Sequence, residues 1–410
     1  MNENSTNENH AGRDVSVLIG TGGSRSILFG TGVLMALAQS RFGRFRSIGG
    51  VSGGSMPASM IASRPDVTWL LNTVLDTDFN KMVKRRVSLV KFLYTVLRDP
   101  QPIDPPPLQG ALDPADMGQY FNDLIPDWPP HFWTMALSGQ KKVIFTRDGV
   151  LMDGAGGGLE LASAAPVKVG TAVCATCAVP MLLDPVPWKS DGGADHLLID
   201  GGFGPEGRCP VSVPEALHPL RGSYLIVVNV GPDKSSLHLL IDRVFGIVCD
   251  DRHSLREDVE VAEEHSRIVV TPASPLYGSF KFKMTRREKW QMIMSGYMAA
   301  VTAFARHGLL SGDNLAQAQE RGVKALLLLA ARQKPYNQDK LPPELDQIFT
   351  NLSFPSEKFA EAARFAANAP VAVAESCQES VPVAESGQEI GAAETLVPTP
   401  PTAAELPSSG

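Results

Sequence analysis

Between Val15 and Ser63 the chain runs twice through strand, glycine turn and helix, and this repeat restricts the possible folds more than any other feature. Val15 to Ile19 is an apolar run of strand length that breaks into Gly20-Thr21-Gly22-Gly23-Ser24-Arg25, and helix-compatible residues follow from Ile27 to Gln39. Roughly thirty residues on, Phe45 to Ile48 reads as a short strand, Gly49 to Gly54 as a turn and Ser55 to Ala62 as a helix. The second turn contains Gly50-Val51-Ser52-Gly53-Gly54, a G-x-S-x-G sequence.

A serine set in a strand-to-helix turn is chemically poised. The sharp turn strains the backbone, flanking glycines remove Cβ clashes, and the hydroxyl stands clear of the sheet edge. The N–H of Gly53 then lies at a helix N-terminus, where it favours developing negative charge. The upstream turn offers further donors, because the N–H groups of Gly22, Gly23 and Ser24 follow one another with little side-chain obstruction. Ser52 is therefore the candidate nucleophile, with Gly22, Gly23, Ser24 and Gly53 as the expected oxyanion donors.

A base is needed to take the serine proton. Two Asp-Gly-Gly tripeptides are available. Asp191-Gly192-Gly193 lies in a polar stretch and signals a tight hairpin turn. Asp200-Gly201-Gly202 follows the apolar run His196 to Ile199, which puts a carboxylate at the end of a buried strand, so Asp200 is preferred. Elsewhere, Asp113 to Leu124 reads as helix, Lys142 to Thr146 as strand and Tyr224 to Val230 as a core strand. Leu237 to Asp258, Met284 to Leu310, Asn314 to Arg332 and Glu361 to Ala367 have helical character. Asp99 to Pro107 carries too many prolines for a helix.

Cys174 and Cys177 form a C-x-x-C without a second ligand pair, and buried small residues explain them better than zinc or redox chemistry. No metal and no cofactor is expected. The glycine run Gly154 to Gly158 completes neither a phosphate loop nor a dinucleotide fingerprint.

The formal charge of −7 resides mostly in the end of the chain, where six glutamates and no Lys or Arg follow Pro370. The nearly neutral remainder gives no reason to expect nucleic acid as a partner. Residues 1–13 and 369–410 are expected to be disordered on composition, leaving 14–368 as the catalytic domain with C-terminal helices. The polar N-terminus lacks the apolar core of a signal peptide, and no stretch suits a bilayer span. With five cysteines, an odd number, the expectation is a cytoplasmic protein, peripheral at the membrane. The stretch Asn80 to Arg98 joins Lys81, Lys84, Arg85, Arg86, Lys91 and Arg98 to many large apolar residues and no acid. It reads as a basic amphipathic segment that contacts anionic lipid, or as a helix packed on the sheet with a solvated basic face.

With the glycine loop, the serine elbow and the strand-terminal Asp-Gly-Gly in place, the chain resembles the patatin-like phospholipases over about residues 14–310. Gly20 to Arg25 matches the family's oxyanion loop, Gly50 to Gly54 its G-x-S-x-G and Asp200 to Gly202 its D-G-G, in the same order. Ala175-Thr176-Cys177-Ala178-Val179-Pro180 looks like its A-T-S-A-x-P segment, with Cys177 in place of a structural serine. Two departures are Ser26, where glycine is common, and Cys209-Pro210, where Asn-Pro often stands. The resemblance implies a three-layer α/β/α sandwich with a central, mostly parallel sheet, and a Ser52–Asp200 dyad hydrolysing acyl esters of phospholipid. Gly20, Arg25, Gly50, Gly54, Gly201 and Gly202 support that site, with Arg25 pinning the loop in preference to holding phosphate. A protein activator is compatible with this reading. Two alternatives stand: a soluble esterase with a Ser-His-Asp triad using His196, His218, His253 or His265, and an inactive lipid-binding or partner-binding module.

Overall fold

The structure, a computed structural model, describes residues 13–85, 112–154, 158–180, 182–203, 224–230, 266–274, 276–331 and 341–359. All lie within a unit spanning Met1–Asn368; a second unit, Ala369–Gly410, is outside the described residues. The sequence readings for Asp99 to Pro107, Leu237 to Asp258, Glu361 to Ala367 and the terminal segment also fall outside them.

The chain enters through β1 (Val15–Ile19), α1 (Ser24–Leu37), β2 (Phe45–Val51), α2 (Ser55–Ser63) and α3 (Val67–Asp76). Two short strands, β3 (Lys84–Arg85) and β4 (Leu112–Asp113), pair with each other, and α4 (Ala115–Leu124) follows. Next come β5 (Phe132–Ser138), β6 (Lys141–Thr146), β7 (Gly149–Asp153), β8 (Leu159–Ser163) and α5 (Val169–Thr176). The remaining elements are β9 (Val186–Lys189), β10 (Asp195–Asp200), β11 (Tyr224–Val228), β12 (Ser266–Val270), α6 (Arg286–Arg306), α7 (Gly312–Ala330) and α8 (Pro343–Ile348).

One mixed sheet runs β12-β11-β1-β2-β5-β6-β7-β8. From β12 to β5 every pairing is parallel, while β6, β7 and β8 extend the sheet as an antiparallel wing. The central strands β1 and β11 are apolar almost throughout, without alternation, because both faces are covered. Val15, Val17, Ile19, Ile226 and Val228 join the large core formed with α1, α2, α3 and α6. Leu18, Val51, Trp133, Met135, Leu225 and Val227 form a separate buried cluster. Burial on both faces is what a layered α/β sandwich requires.

Strand β5 positions the site. On one edge its residues Phe132 to Met135 pair with the end of β2, and Ala136 to Ser138 pair with β10, which arrives antiparallel. The other edge holds β6. Strands β2 and β10 therefore meet head to head along one edge, β2 stopping at Val51 opposite Met135 and β10 at Asp200 opposite Ala136. Ser52 and Asp200, 148 residues apart in sequence, leave the sheet at adjacent registers.

Helix α1 is buried along its whole length, and it touches α6 closely because both carry glycine at the crossing. A Cβ on Gly32 would lie 1.9 Å from the Ile293 carbonyl oxygen, and one on Gly296 would lie 2.1 Å from that of Phe29. Backbone cannot yield as a flexible side chain does, so the helices must separate. Gly296→Ala is expected to cost about 1–3 kcal/mol in a urea unfolding curve, the scale of overpacking a tight core; an unchanged midpoint would show that this crossing is loose.

Candidate active site

Ser52 sits between β2 and α2 in a single 3-10 turn with φ 55°, a left-handed conformation that costs a side-chain-bearing residue about 1–3 kcal/mol. Close packing holds it there. A Cβ on Gly50 would come within 2.5 Å of the Gly54 carbonyl oxygen, and one on Gly54 within 2.2 Å of that of Ile19. The Ser52 N–H donates to the Thr176 hydroxyl at 2.9 Å, and that hydroxyl donates to the Met135 carbonyl, tying the elbow to β5. Ser55 Oγ donates back to the Ser52 carbonyl at 2.7 Å.

The Ser52 hydroxyl donates to Asp200 Oδ2 at 2.7 Å. Asp200 is only 1% exposed, and its Oδ1 accepts the Gly202 N–H at 2.7 Å. Burial pushes its carboxyl from an ordinary value of 3.8 up to about 7, against the two hydrogen bonds that favour its charged form. Gly201 allows the turn after β10 to lie on β5, since a Cβ there would be 2.3 Å from the Met135 carbonyl oxygen.

The first glycine turn packs directly on the second. A Cβ on Gly53 would lie 2.2 Å from the Gly23 carbonyl oxygen. Gly20 N–H donates to Val228 and its carbonyl accepts the Ser26 hydroxyl, so the serine that departs from the family pattern closes the loop on itself. Gly23 has φ 55°, and the N–H groups of Gly22 and Gly23 meet no acceptor among the described residues. Ser24 differs from expectation. Its N–H donates to the Ser279 carbonyl at 2.8 Å, which removes it from the set of donors facing a substrate. Arg25 is 4% exposed and its Nε donates to Ser279 Oγ at 3.0 Å, so it pins the loop to a distant segment's side chain.

A narrow pocket of about 50 Å³, open at its mouth, begins at Ser52 and Gly53. Met56, Val179, Leu182 and Leu183 line it together with Phe79, Met82, Phe280 and Phe282, which makes it apolar. Cys177, also on its wall, and Cys174 are free thiols, with burial pushing Cys174 up to about 12 and Cys177 well above the ordinary range. They behave as small buried residues. Among the described residues no group of three His, Cys, Asp or Glu is placed to hold a metal.

The other sequence candidates lie apart from this constellation. Asp191 is in the turn between β9 and β10, where its carboxylate accepts the Ala164 N–H at 2.8 Å. His196 stacks on Trp188 with ring centroids 5.1 Å apart, and its Nδ1 is 3.1 Å from the Ser138 hydroxyl. It stands four residues before Asp200 on one strand, about 13 Å along the chain, too far to complete a triad. His218, His253 and His265, and the Cys209-Pro210 pair, are outside the described residues. Of the basic stretch, Arg86 and Lys91 are also outside. Residues 80–85 form no α-helix: a single 3-10 turn capped by Asp78 covers Phe79–Lys81 and β3 follows. Lys84 pairs with Asp116 at 2.8 Å, while Lys81 is 83% exposed in its side chain and 3.9 Å from Asp78. No helix among the described residues is long and apolar enough to cross a membrane.

Thr176 was legible only as part of the A-T-C-A-V-P segment, with no sign of its role. The pairing of its hydroxyl with the elbow requires β5 and α5 to be adjacent, which no local pattern encodes.

Comparison with known proteins finds solved structures and one family. The crystal structure of VipD from Legionella pneumophila aligns at a TM-score of 0.34 and 11% identity over 77% of this chain and 75% of that one. That of the type III effector protein ExoU aligns at 0.32 and 12% identity over 81% and 67%. No curated protein sequence matches. The model of the patatin-like phospholipase family matches residues 17–207, which hold both glycine turns, Ser52, Thr176 and Asp200. Over those residues, just under half of its length, the chain matches the patatin-like phospholipase family.

Proposed function

We propose that the protein is a lipid acyl hydrolase that cleaves carboxylic esters of phospholipid through a Ser52–Asp200 dyad. The observation that carries the reading is the 2.7 Å hydrogen bond from the Ser52 hydroxyl to a buried carboxylate, made at a left-handed elbow. Asp200 takes the proton as Ser52 Oγ attacks the ester carbonyl, and returns it to the departing alcohol. The N–H groups of Gly22, Gly23 and Gly53 receive the oxyanion of the tetrahedral intermediate, and the apolar pocket takes the acyl chain. Water then enters and attacks the acyl carbonyl as Asp200 removes its proton; Asp200 returns that proton to Ser52 Oγ as the acyl–oxygen bond breaks and the fatty acid leaves. An ionised carboxylate with its pKa raised to about 7 is a better base at neutral pH than an ordinary aspartate.

The membrane surface supplies such a substrate only if the pocket mouth reaches it. Met82 and Val83 line the pocket, and Lys81 and Lys84 flank them in sequence, so cations adjoin the apolar wall. We infer peripheral docking on anionic lipid through this rim, weakened by salt. The test is fatty-acid release from phospholipid vesicles. Wild-type protein releases fatty acid, and Lys81→Glu with Lys84→Glu loses severalfold more rate on anionic vesicles than on a soluble short-chain ester. Equal losses on both would make the rim structural, and no release from any vesicle would contradict a phospholipid substrate.

A further inference from the structure

The segment Leu276 to Met284, which precedes α6, touches both halves of the site. Its Ser279 carbonyl accepts the Ser24 N–H at 2.8 Å and the Ser24 hydroxyl at 2.9 Å. Its Ser279 hydroxyl accepts Arg25 Nε at 3.0 Å. Gly23 lies flat against it, since a Cβ there would be 2.3 Å from the Ser279 carbonyl oxygen. The next residues, Phe280 and Phe282, line the pocket that begins at Ser52. The far end of the strap is fastened to α6, where Lys281 pairs with Glu288 at 2.5 Å and Glu288 belongs to the capping box with Thr285.

We propose that Ser279 is a positioning residue for the reaction at Ser52, on a strap that also selects the acyl chain through Phe280 and Phe282. The inference rests on the hydrolase reading above and deepens it.

The physical argument concerns one peptide plane. A bond from the Ser24 N–H to Ser279 fixes the rotation of the Gly23–Ser24 peptide, whose carbonyl rests on Gly53. With that plane fixed, the preceding N–H groups of Gly22 and Gly23 have one direction. Arg25 adds a second tie one residue later, and because it is buried, its Nε loses a hydrogen bond if the Ser279 hydroxyl is removed. The turn then shifts, and donors aimed at a developing oxyanion lose their alignment. Displacement by about 1 Å in such a site costs on the order of 10²-fold. A chain seated on Phe280 and Phe282 presses on the same segment, so acyl recognition and oxyanion geometry share one support 255 residues from Ser24 in sequence.

The test compares Ser279→Thr with Ser279→Val, which match in shape and differ in the hydroxyl, on 4-nitrophenyl butyrate and 4-nitrophenyl decanoate. Rates are referred to active sites titrated by a fluorophosphonate, so that partial unfolding does not register. Ser279→Val is expected to lose kcat about 10–100-fold on both esters with little change in KM, and Ser279→Thr to keep most of it. Phe280→Ala is expected to raise KM for the decanoate more than for the butyrate. If β-branching is not tolerated, Ser279→Ala takes the place of Ser279→Val with the same expected loss. Active wild-type protein with equal kcat in the hydroxyl-bearing and hydroxyl-lacking variants overturns the role of Ser279 alone. Wild-type protein inert on both esters overturns the hydrolase reading, and this inference with it.

Discussion

Asp200→Asn is expected to lower kcat/KM for a short-chain ester by about 10²–10⁴-fold, the range general-base catalysis supplies. The amide preserves shape and can still accept the Gly202 N–H, but it cannot take a proton from Ser52. Asp191→Asn and His196→Ala are expected to lose under about tenfold, because neither side chain bonds to Ser52 or Asp200. The double variant Ser52→Ala with Asp200→Asn is expected to be no worse than the poorer single one, as groups acting together behave. A folded His196→Ala as inactive as Asp200→Asn would replace the dyad with a triad.

The same carboxylate fixes the pH dependence. Its burial raises the pKa to about 7, and the base must be ionised to act, so kcat/KM is expected to rise about tenfold per pH unit below 7 and level off above. Stability runs the other way. The folded state holds the proton more tightly than the unfolded state, whose carboxyl titrates near 3.8, so stability falls as pH rises from about 4 to about 7. Asp200→Asn escapes that loss. The variant is expected to be more stable than wild type at pH 8, by up to roughly 4 kcal/mol, and to lose this advantage near pH 4. A flat pH–rate profile between 5 and 8, or a destabilised Asp200→Asn at pH 8, would mean that the carboxyl is not held in a charge-disfavouring site.

Much of this site is written in local patterns. Tyr224 to Val228 is apolar throughout and Val15 to Ile19 is apolar but for Ser16, because both strands are buried on both faces, and such runs are visible without any tertiary knowledge. The choice of Asp200 over Asp191 was equally local, resting on an apolar run before one tripeptide and a polar stretch around the other. The start of α1 was less visible: it begins at Ser24, ahead of Ile27, because Gly23 supplies a left-handed entry with no capping side chain. Pairwise facts were not legible at all. That β10 abuts β2 on one edge of β5, that Ser24 spends its N–H on Ser279, and that Lys84 meets Asp116 all depend on contacts between distant segments. The antiparallel wing from β6 to β8 was likewise hidden, since each strand there is short and bounded by ordinary turns.

The claim on which all of this stands is that Ser52 Oγ is the nucleophile, and covalent labelling tests it most directly. A fluorophosphonate ester reacts at phosphorus with an activated serine, forming the serine–phosphorus bond as fluoride leaves. Wild-type protein is expected to take up one equivalent, mapped by peptide mass spectrometry to Ser52, with ester hydrolysis lost in step. Ser52→Ala is expected to take up none and to hydrolyse nothing above the solution rate, and Asp200→Asn to label far more slowly than wild type. Undiminished labelling of Ser52→Ala, or a modified peptide that does not contain residue 52, would contradict the account.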